Sequence, residues 1–234
     1  MTACSPVSQT AEIFYPTGDG EPVAETFDHL YAILITIEVL RQYLSGQQAT
    51  VLGNQFLYYA QGLPKLRTAP DVMVIFDVEP GGRDNYKIWE EGQVPAVIFE
   101  MTSPGTRSQD DSFKKTLYEQ LGVQEYWQFD PRGEWIPEKL RGYRLRGETY
   151  ELITDGQSQP LQLRLTVEEK LIGLYRLDTG EKLLIPDELA AALETAELEA
   201  AQERQRAEEE RQRAEELAAE LARYRERFGD LPDA

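Results

Sequence analysis

The sequence is short of almost everything that marks a disulfide, an imidazole or a membrane protein. One cysteine, Cys4, in 234 residues excludes a disulfide framework and a thiolate zinc cluster within one chain. One histidine, His29, closes off chemistry that needs several imidazoles; four residues after Glu25 on the same helical side, it reads as a surface or core histidine rather than a ligand. No apolar run nears the roughly 20 residues of a membrane-spanning helix. The opening MTACSPVSQTAEIF lacks the basic-then-apolar order of a signal peptide, so the expected compartment is the cytoplasm. Positive charge is scarce too: 24 Lys and Arg against 42 Asp and Glu give a net charge of −18. Such a chain is no general nucleic-acid coat, and any contact with nucleic acid has to be local.

What is present suits one globular core plus an appendage, with 41% hydrophobic and 10% aromatic residues. Residues 1–20 mix Ser, Thr, Pro and Gly without a period and read as a flexible lead-in. Phe27, Leu30, Tyr31, Leu34, Ile37, Leu40, Tyr43 and Leu44 recur at steps of three and four, predicting a helix with these side chains inward. TVLGNQFLYYA, DVMVIF, VPAVIFEM and VQEYWQFDP read as strands. VPAVIFEM has no polar alternation and suits a central strand covered on both faces. Between it and VQEYWQFDP, SPGTRSQDD opens a helix that Gly122 ends. LRGYRLRGETYELI then reads as a hairpin, LQLRLTV as an edge strand and EKLLIP as a last apolar segment.

Beyond Pro186 the composition turns to Ala, Glu and Arg, and RQRAEEE at 204–210 nearly repeats as RQRAEEL at 211–217. One heptad column, Leu193, Ala200, Ala207, Ala214, Leu221 and Phe228, is wholly apolar. Its partner, Leu189, Ala196, Glu203, Glu210, Leu217 and Tyr224, is interrupted twice by glutamate. The expected organisation is therefore a lead-in at 1–20, an α/β domain at 21–186 and a helical tail at 187–234. Through residues 187–228 the tail is either a homodimerising coiled coil or a solvated single helix. With 15 acidic and 7 basic residues the tail carries −8, which leaves −10 for the rest.

Two carboxylates stand at the margins of apolar strands, Asp71 after Pro70 and Glu100 at the end of VPAVIFEM. An unpaired buried carboxylate costs several kcal/mol, on the order of the penalty for any isolated buried ion, so Glu100 calls for a cation, a proton or hydrogen-bond donors nearby. At about 100° per residue, Phe113, Leu117 and Leu121 define the inward face of the following helix. Lys114 and Tyr118 fall on that side. Lys115 points outward at the i,i+4 spacing for an exposed pair with Glu119.

The order Pro70-Asp71, then FEMTSP carrying Glu100, then Asp111, Lys114, Tyr118 and GVQEYWQFDP resembles the Uma family of restriction-endonuclease-like proteins, within the PD-(D/E)XK nuclease superfamily. The likeness runs from about residue 25 to residue 131 and extends weakly to the Ala/Glu/Arg tail. The superfamily places a lysine two residues after the acid, where this chain has Thr102; in the resembled family that lysine has moved to the following helix, where Lys114 stands.

The resemblance implies a mixed sheet with an αβββαβ core and a divalent-metal-dependent endonuclease acting on DNA. Asp71, Glu100 and the Met101 carbonyl would bind Mg²⁺ or Mn²⁺. Lys114 would orient the attacking water and stabilise the transition state. By the same resemblance Glu25 would be the extra acid that some superfamily members place there. Lys65, Arg67 and Arg107 are candidate phosphate contacts tied by sequence to the site, whereas Lys139, Arg141, Arg144 and Arg146 read as a charged hairpin surface. Glu125 reads as a solvated edge residue. The rival reading is a catalytically inactive nuclease fold that acts as a scaffold through its tail.

Overall fold

The computed structural model describes residues 13–18, 26–102 and 110–229; Cys4, Glu25 and Arg107 lie outside them. The elements are α1 (Phe27–Tyr43), β1 (Ala49–Leu52), β2 (Leu57–Tyr58), β3 (Arg67–Thr68), β4 (Val72–Phe76), β5 (Tyr86–Lys87), α2 (Ile88–Glu91), β6 (Val97–Met101), α3 (Asp110–Leu121), β7 (Glu125–Phe129), β8 (Leu140–Arg146), β9 (Thr149–Ile153), β10 (Gln157–Ser158), β11 (Leu163–Glu168), β12 (Leu171–Arg176) and α4 (Pro186–Phe228).

The main sheet has strand order β1-β4-β6-β7-β8-β9. All its pairs are antiparallel except β6 with β7, and α3 supplies the crossover that a parallel pair requires. Read in chain order, α1, β1, β4, β6, α3 and β7 are an αβββαβ core. β6 is buried along its whole length because both faces of the sheet are covered. Val97, Phe99 and Met101 share one core with Ile33, Val39 and Leu40 of α1. Ile98 shares the other with Leu117 and Tyr118 of α3. Gly122, at φ 83°, takes the left-handed conformation that ends α3.

α1 is capped by Thr26, whose Oγ1 accepts the His29 N–H at 3.4 Å. Its inward face differs from the expected one. Phe27, Leu30 and Leu34 are exposed, while His29, Ala32, Ile33, Ile35, Thr36, Val39 and Leu40 are buried. The helix is apolar on nearly every side, so the three- and four-residue steps set a period without fixing its phase. Tyr15 and Pro16, within the stretch read as a lead-in, are anchored on β2. The Tyr15 ring packs edge-on against Tyr58 at 5.1 Å, and Tyr58 OH donates to the Pro16 carbonyl at 2.6 Å.

LQLRLTV is not an edge of the main sheet. It forms β11, the middle strand of a separate β10-β11-β12 sheet whose Leu163, Leu165, Ile172 and Leu174 complete the core under α1. EKLLIP contributes one bridge, Lys182 to Tyr175, and packs Leu183 and Ile185 on that core. The chain divides into two compact units after Ile185. The second contains α4, 43 residues and thus about 65 Å long, with Leu193, Leu217, Leu221 and Tyr224 exposed. Among the described residues no helix is long and apolar enough to cross a membrane.

Candidate active site

The register of β4 on β6 pairs Val72 with Phe99 and, continued by one residue, sets Asp71 across from Glu100. There the ladder gives way to a side chain: Asp71 Oδ2 accepts the Met101 N–H at 2.7 Å. The approach to Asp71 depends on Gly53, just past β1. A Cβ at that position would lie 2.9 Å from the Asp71 carbonyl oxygen and 2.3 Å from Ile37 Cδ1, so only glycine lets the two backbones pass this closely.

Glu100 is only 7% exposed, and α3 meets its carboxylate with two side chains one turn apart. Lys114 Nζ donates to Oε2 at 3.1 Å and Tyr118 OH donates to Oε1 at 2.6 Å. Thr68 Oγ1 of β3 lies 3.5 Å from the Tyr118 hydroxyl. Burial, followed by the Asp71 charge, pushes the Glu100 pKa up to about 8; Lys114 and the Tyr118 hydrogen bond pull it down. Tyr118 itself is raised well above the ordinary phenol value, by burial and then by Glu100.

A carboxyl raised in the folded state holds a proton that the unfolded chain releases from about pH 4.5. Stability of the metal-free protein should therefore fall as pH rises from about 5 to about 8 and level off above that. Thermal melts of wild type and Glu100→Gln across that range check this. The variant should show a flatter profile, and parallel profiles would assign the slope to other groups.

The expected inward face of α3 needs one correction. Phe113 is exposed, and the face is made by Lys114, Leu117, Tyr118 and Leu121. Lys115 does not point into water either. Its Nζ lies 4.2 Å over the Tyr143 ring, and Glu119, its expected partner, accepts the Tyr150 N–H. The aromatic surface of β8 and β9 supplies both alternatives, which a helix considered alone does not contain. Thr102, at the position where a lysine is usual, donates its N–H to the Phe129 carbonyl at 2.7 Å.

Of the candidate phosphate contacts, Lys65 is exposed. Arg67 stacks 4.1 Å over Phe56 and donates to Tyr58 OH and the Pro64 carbonyl, which ties β3 to β2 beside the site. In the hairpin, Arg141 pairs with Glu138 and Arg144 with Glu125, while Lys139 donates to the Glu169 carbonyl. Glu125 is no solvated edge residue: its exposure is 0%. The carboxylate accepts from Arg144 Nε at 2.8 Å, the Gln159 N–H at 2.9 Å and Trp127 Nε1 at 3.2 Å. It lies inside the sheet because β7 is flanked by both β6 and β8.

The sequence reads His29 as a surface or core histidine, and the structure places it in the core. It is buried, and its Nε2 stands 3.7 Å from Asp71 Oδ2. The sequence did contain the spacing from Thr26 that sets it in the first turn of α1, yet nothing there showed that this turn abuts the start of β4.

Among the described residues no three His, Cys, Asp or Glu side chains converge into a metal-binding group. The set that the family resemblance implies, two carboxylates and the Met101 carbonyl, would nevertheless be all oxygen. It fits a small hard cation that retains most of its waters and takes only one or two carboxylates from the protein. The upward shift of Glu100 caused by Asp71 is the like-charge strain that such a cation relieves.

Comparison with curated proteins finds no match. Among solved structures, one described as a "putative nuclease" from Anabaena variabilis is similar in fold at 16% identity and a TM-score of 0.43, covering 71% of this chain and 86% of that one. The Uma2 family, described as "Putative restriction endonuclease", matches residues 8–178. That span takes in α1, the whole main sheet and both carboxylates, and the chain belongs to this family.

Proposed function

We propose that the protein is a divalent-metal-dependent endonuclease that hydrolyses phosphodiester bonds in DNA. The observation that carries this reading is the juxtaposition of Asp71 and Glu100 across two strands, with Lys114 on the Glu100 carboxylate. Asp71, Glu100 and the Met101 carbonyl would hold Mg²⁺ or Mn²⁺, which supplies Lewis-acid neutralisation of charge on the phosphoryl oxygens. Lys114 contributes a compact cation beside the same group, orienting the water that attacks phosphorus and offsetting charge as the P–O bond to the leaving oxygen breaks. Tyr118 fixes Glu100 in place and keeps its own proton. Lys65, and Arg107 from outside the described residues, are the basic side chains proposed to meet phosphates.

The test is cleavage of supercoiled plasmid with and without Mg²⁺ or Mn²⁺. Wild type should cut only with the metal, and Asp71→Ala and Glu100→Ala should each lose about 100- to 1000-fold, the worth of one electrostatic group in such sites. Equal cutting by all three proteins would remove the assignment. Cleavage of RNA in place of DNA would change the substrate.

The exposed Leu193, Leu217, Leu221 and Tyr224 of α4 favour a second role alongside this one. We propose that residues 187–228 pair two copies of the chain, with the nuclease body carried as a dimer. Light scattering should give a dimer mass for the full chain and a monomer mass when it ends at Pro186. An unchanged oligomeric state would remove the tail as the pairing element, and a paired protein without metal-dependent cutting would instead be the inactive scaffold.

A further inference from the structure

His29 sits at a position where the packing alone favours an apolar residue. It is 5% exposed on α1, whose neighbouring Ala32 and Ile33 are buried in the core. A buried imidazole costs free energy unless its polar atoms are used. The charged group it faces is Asp71, with Nε2 at 3.7 Å from Oδ2, beyond hydrogen-bond length and an ion pair when the imidazole is protonated. The same Oδ2 accepts the Met101 N–H, so one oxygen of Asp71 is approached by a nitrogen from α1 and by a nitrogen from β6. On another flank of His29 lies a cavity of about 10 Å³ lined by Thr26, Thr102, Asp130 and Trp135 among others, so the surroundings of the ring are partly polar. Thr102 also follows Met101 directly. Thr26 caps α1 through the His29 N–H, which fixes the helical turn that delivers the ring.

Resting on the nuclease reading above, we infer that His29 is a positioning residue of the metal centre: it holds the Asp71 carboxylate plane from the α1 side while Met101 N–H holds it from β6. Partners that orient a ligating carboxylate carry about a 10- to 100-fold share of metal affinity. Its effect reaches the cation through Asp71, and His29 touches neither substrate nor water in this role.

The experiment is a titration of the full chain with Mn²⁺, read by the electron paramagnetic resonance signal of free Mn²⁺, with thermal midpoints measured in parallel. His29→Leu should bind Mn²⁺ 10- to 100-fold more weakly with its thermal midpoint kept or raised. His29→Gln, which retains a donor at similar reach, should stay within about threefold of wild type. If His29→Leu does not fold, His29→Asn decides, since its amide is too short to approach Asp71 and should show the same weakening. Wild-type affinity in His29→Leu, or in His29→Asn, overturns the inference while Asp71→Ala still abolishes binding. Loss of binding in His29→Gln equal to that in His29→Leu also overturns it. Absence of Mn²⁺ binding by the wild type overturns the nuclease reading and this inference together.

Discussion

Lys114→Ala should cut DNA about a thousandfold more slowly than wild type while binding Mn²⁺ at least as tightly. The two halves of this result come from one contact. Lys114 Nζ lies 3.1 Å from Glu100 Oε2, so the ammonium offsets negative charge at the position where a divalent cation would do the same. Removing it leaves the carboxylate more available to a cation, and metal affinity is held or raised. Cleavage falls because the positive group that offsets charge developing on the phosphoryl oxygens is gone, and such a group is worth about 100- to 1000-fold. Lys115→Ala is the control, since that ammonium is spent on the Tyr143 ring and the substitution should leave the rate within a few-fold of wild type. Equal losses in the two variants, or none in Lys114→Ala, would remove Lys114 from the chemistry. Weaker Mn²⁺ binding in Lys114→Ala would mean that Lys114 acts by holding Glu100 in place.

The parts of the fold legible in the sequence were those set by local pattern. β6 could be read as a covered strand because VPAVIFEM has no polar alternation, and α3 could be oriented from Leu117 and Leu121, with Lys114 and Tyr118 on their side at helical spacing, although Phe113, read with them, is exposed. The pairing of Asp71 with Glu100 was approachable because each stands at the margin of an apolar strand, where a charge needs a partner. What escaped was decided by neighbours distant in the chain. α1 is apolar nearly all round, so its phase is set by the sheet and by the β10-β11-β12 sheet packing on it. β2, β3 and β5 have two residues each, too few for alternation to register. His29 comes to lie beside Asp71 only because the start of α1 meets the start of β4, a contact with no local signature.

Glu125 is the clearest such case, and it yields the largest expected loss of stability: Arg144→Leu should destabilise the protein by about 3 to 5 kcal/mol. In the folded chain the Glu125 side chain is fully buried and that of Arg144 is 13% exposed. Without Arg144 the carboxylate retains the Trp127 and Gln159 N–H donors, but its charge stays in the interior of a six-stranded sheet with no cation against it. At about 2 to 4 °C per kcal/mol for a domain of this size, the thermal midpoint should drop by roughly 10 °C. Glu125→Gln placed in the Arg144→Leu background should recover most of that loss. The amide removes the charge while its oxygen still accepts from Trp127 or Gln159, so the double variant should be more stable than Arg144→Leu alone. Denaturant melts of the four proteins form a double-mutant cycle. A coupling near zero, with the two losses simply adding, would mean that water reaches Glu125 and that its charge needs no partner. A coupling on the order of 2 kcal/mol would show that the ion pair, and not the packing of the Arg144 stem, ties β7 to β8 at the strand that runs beside Glu100.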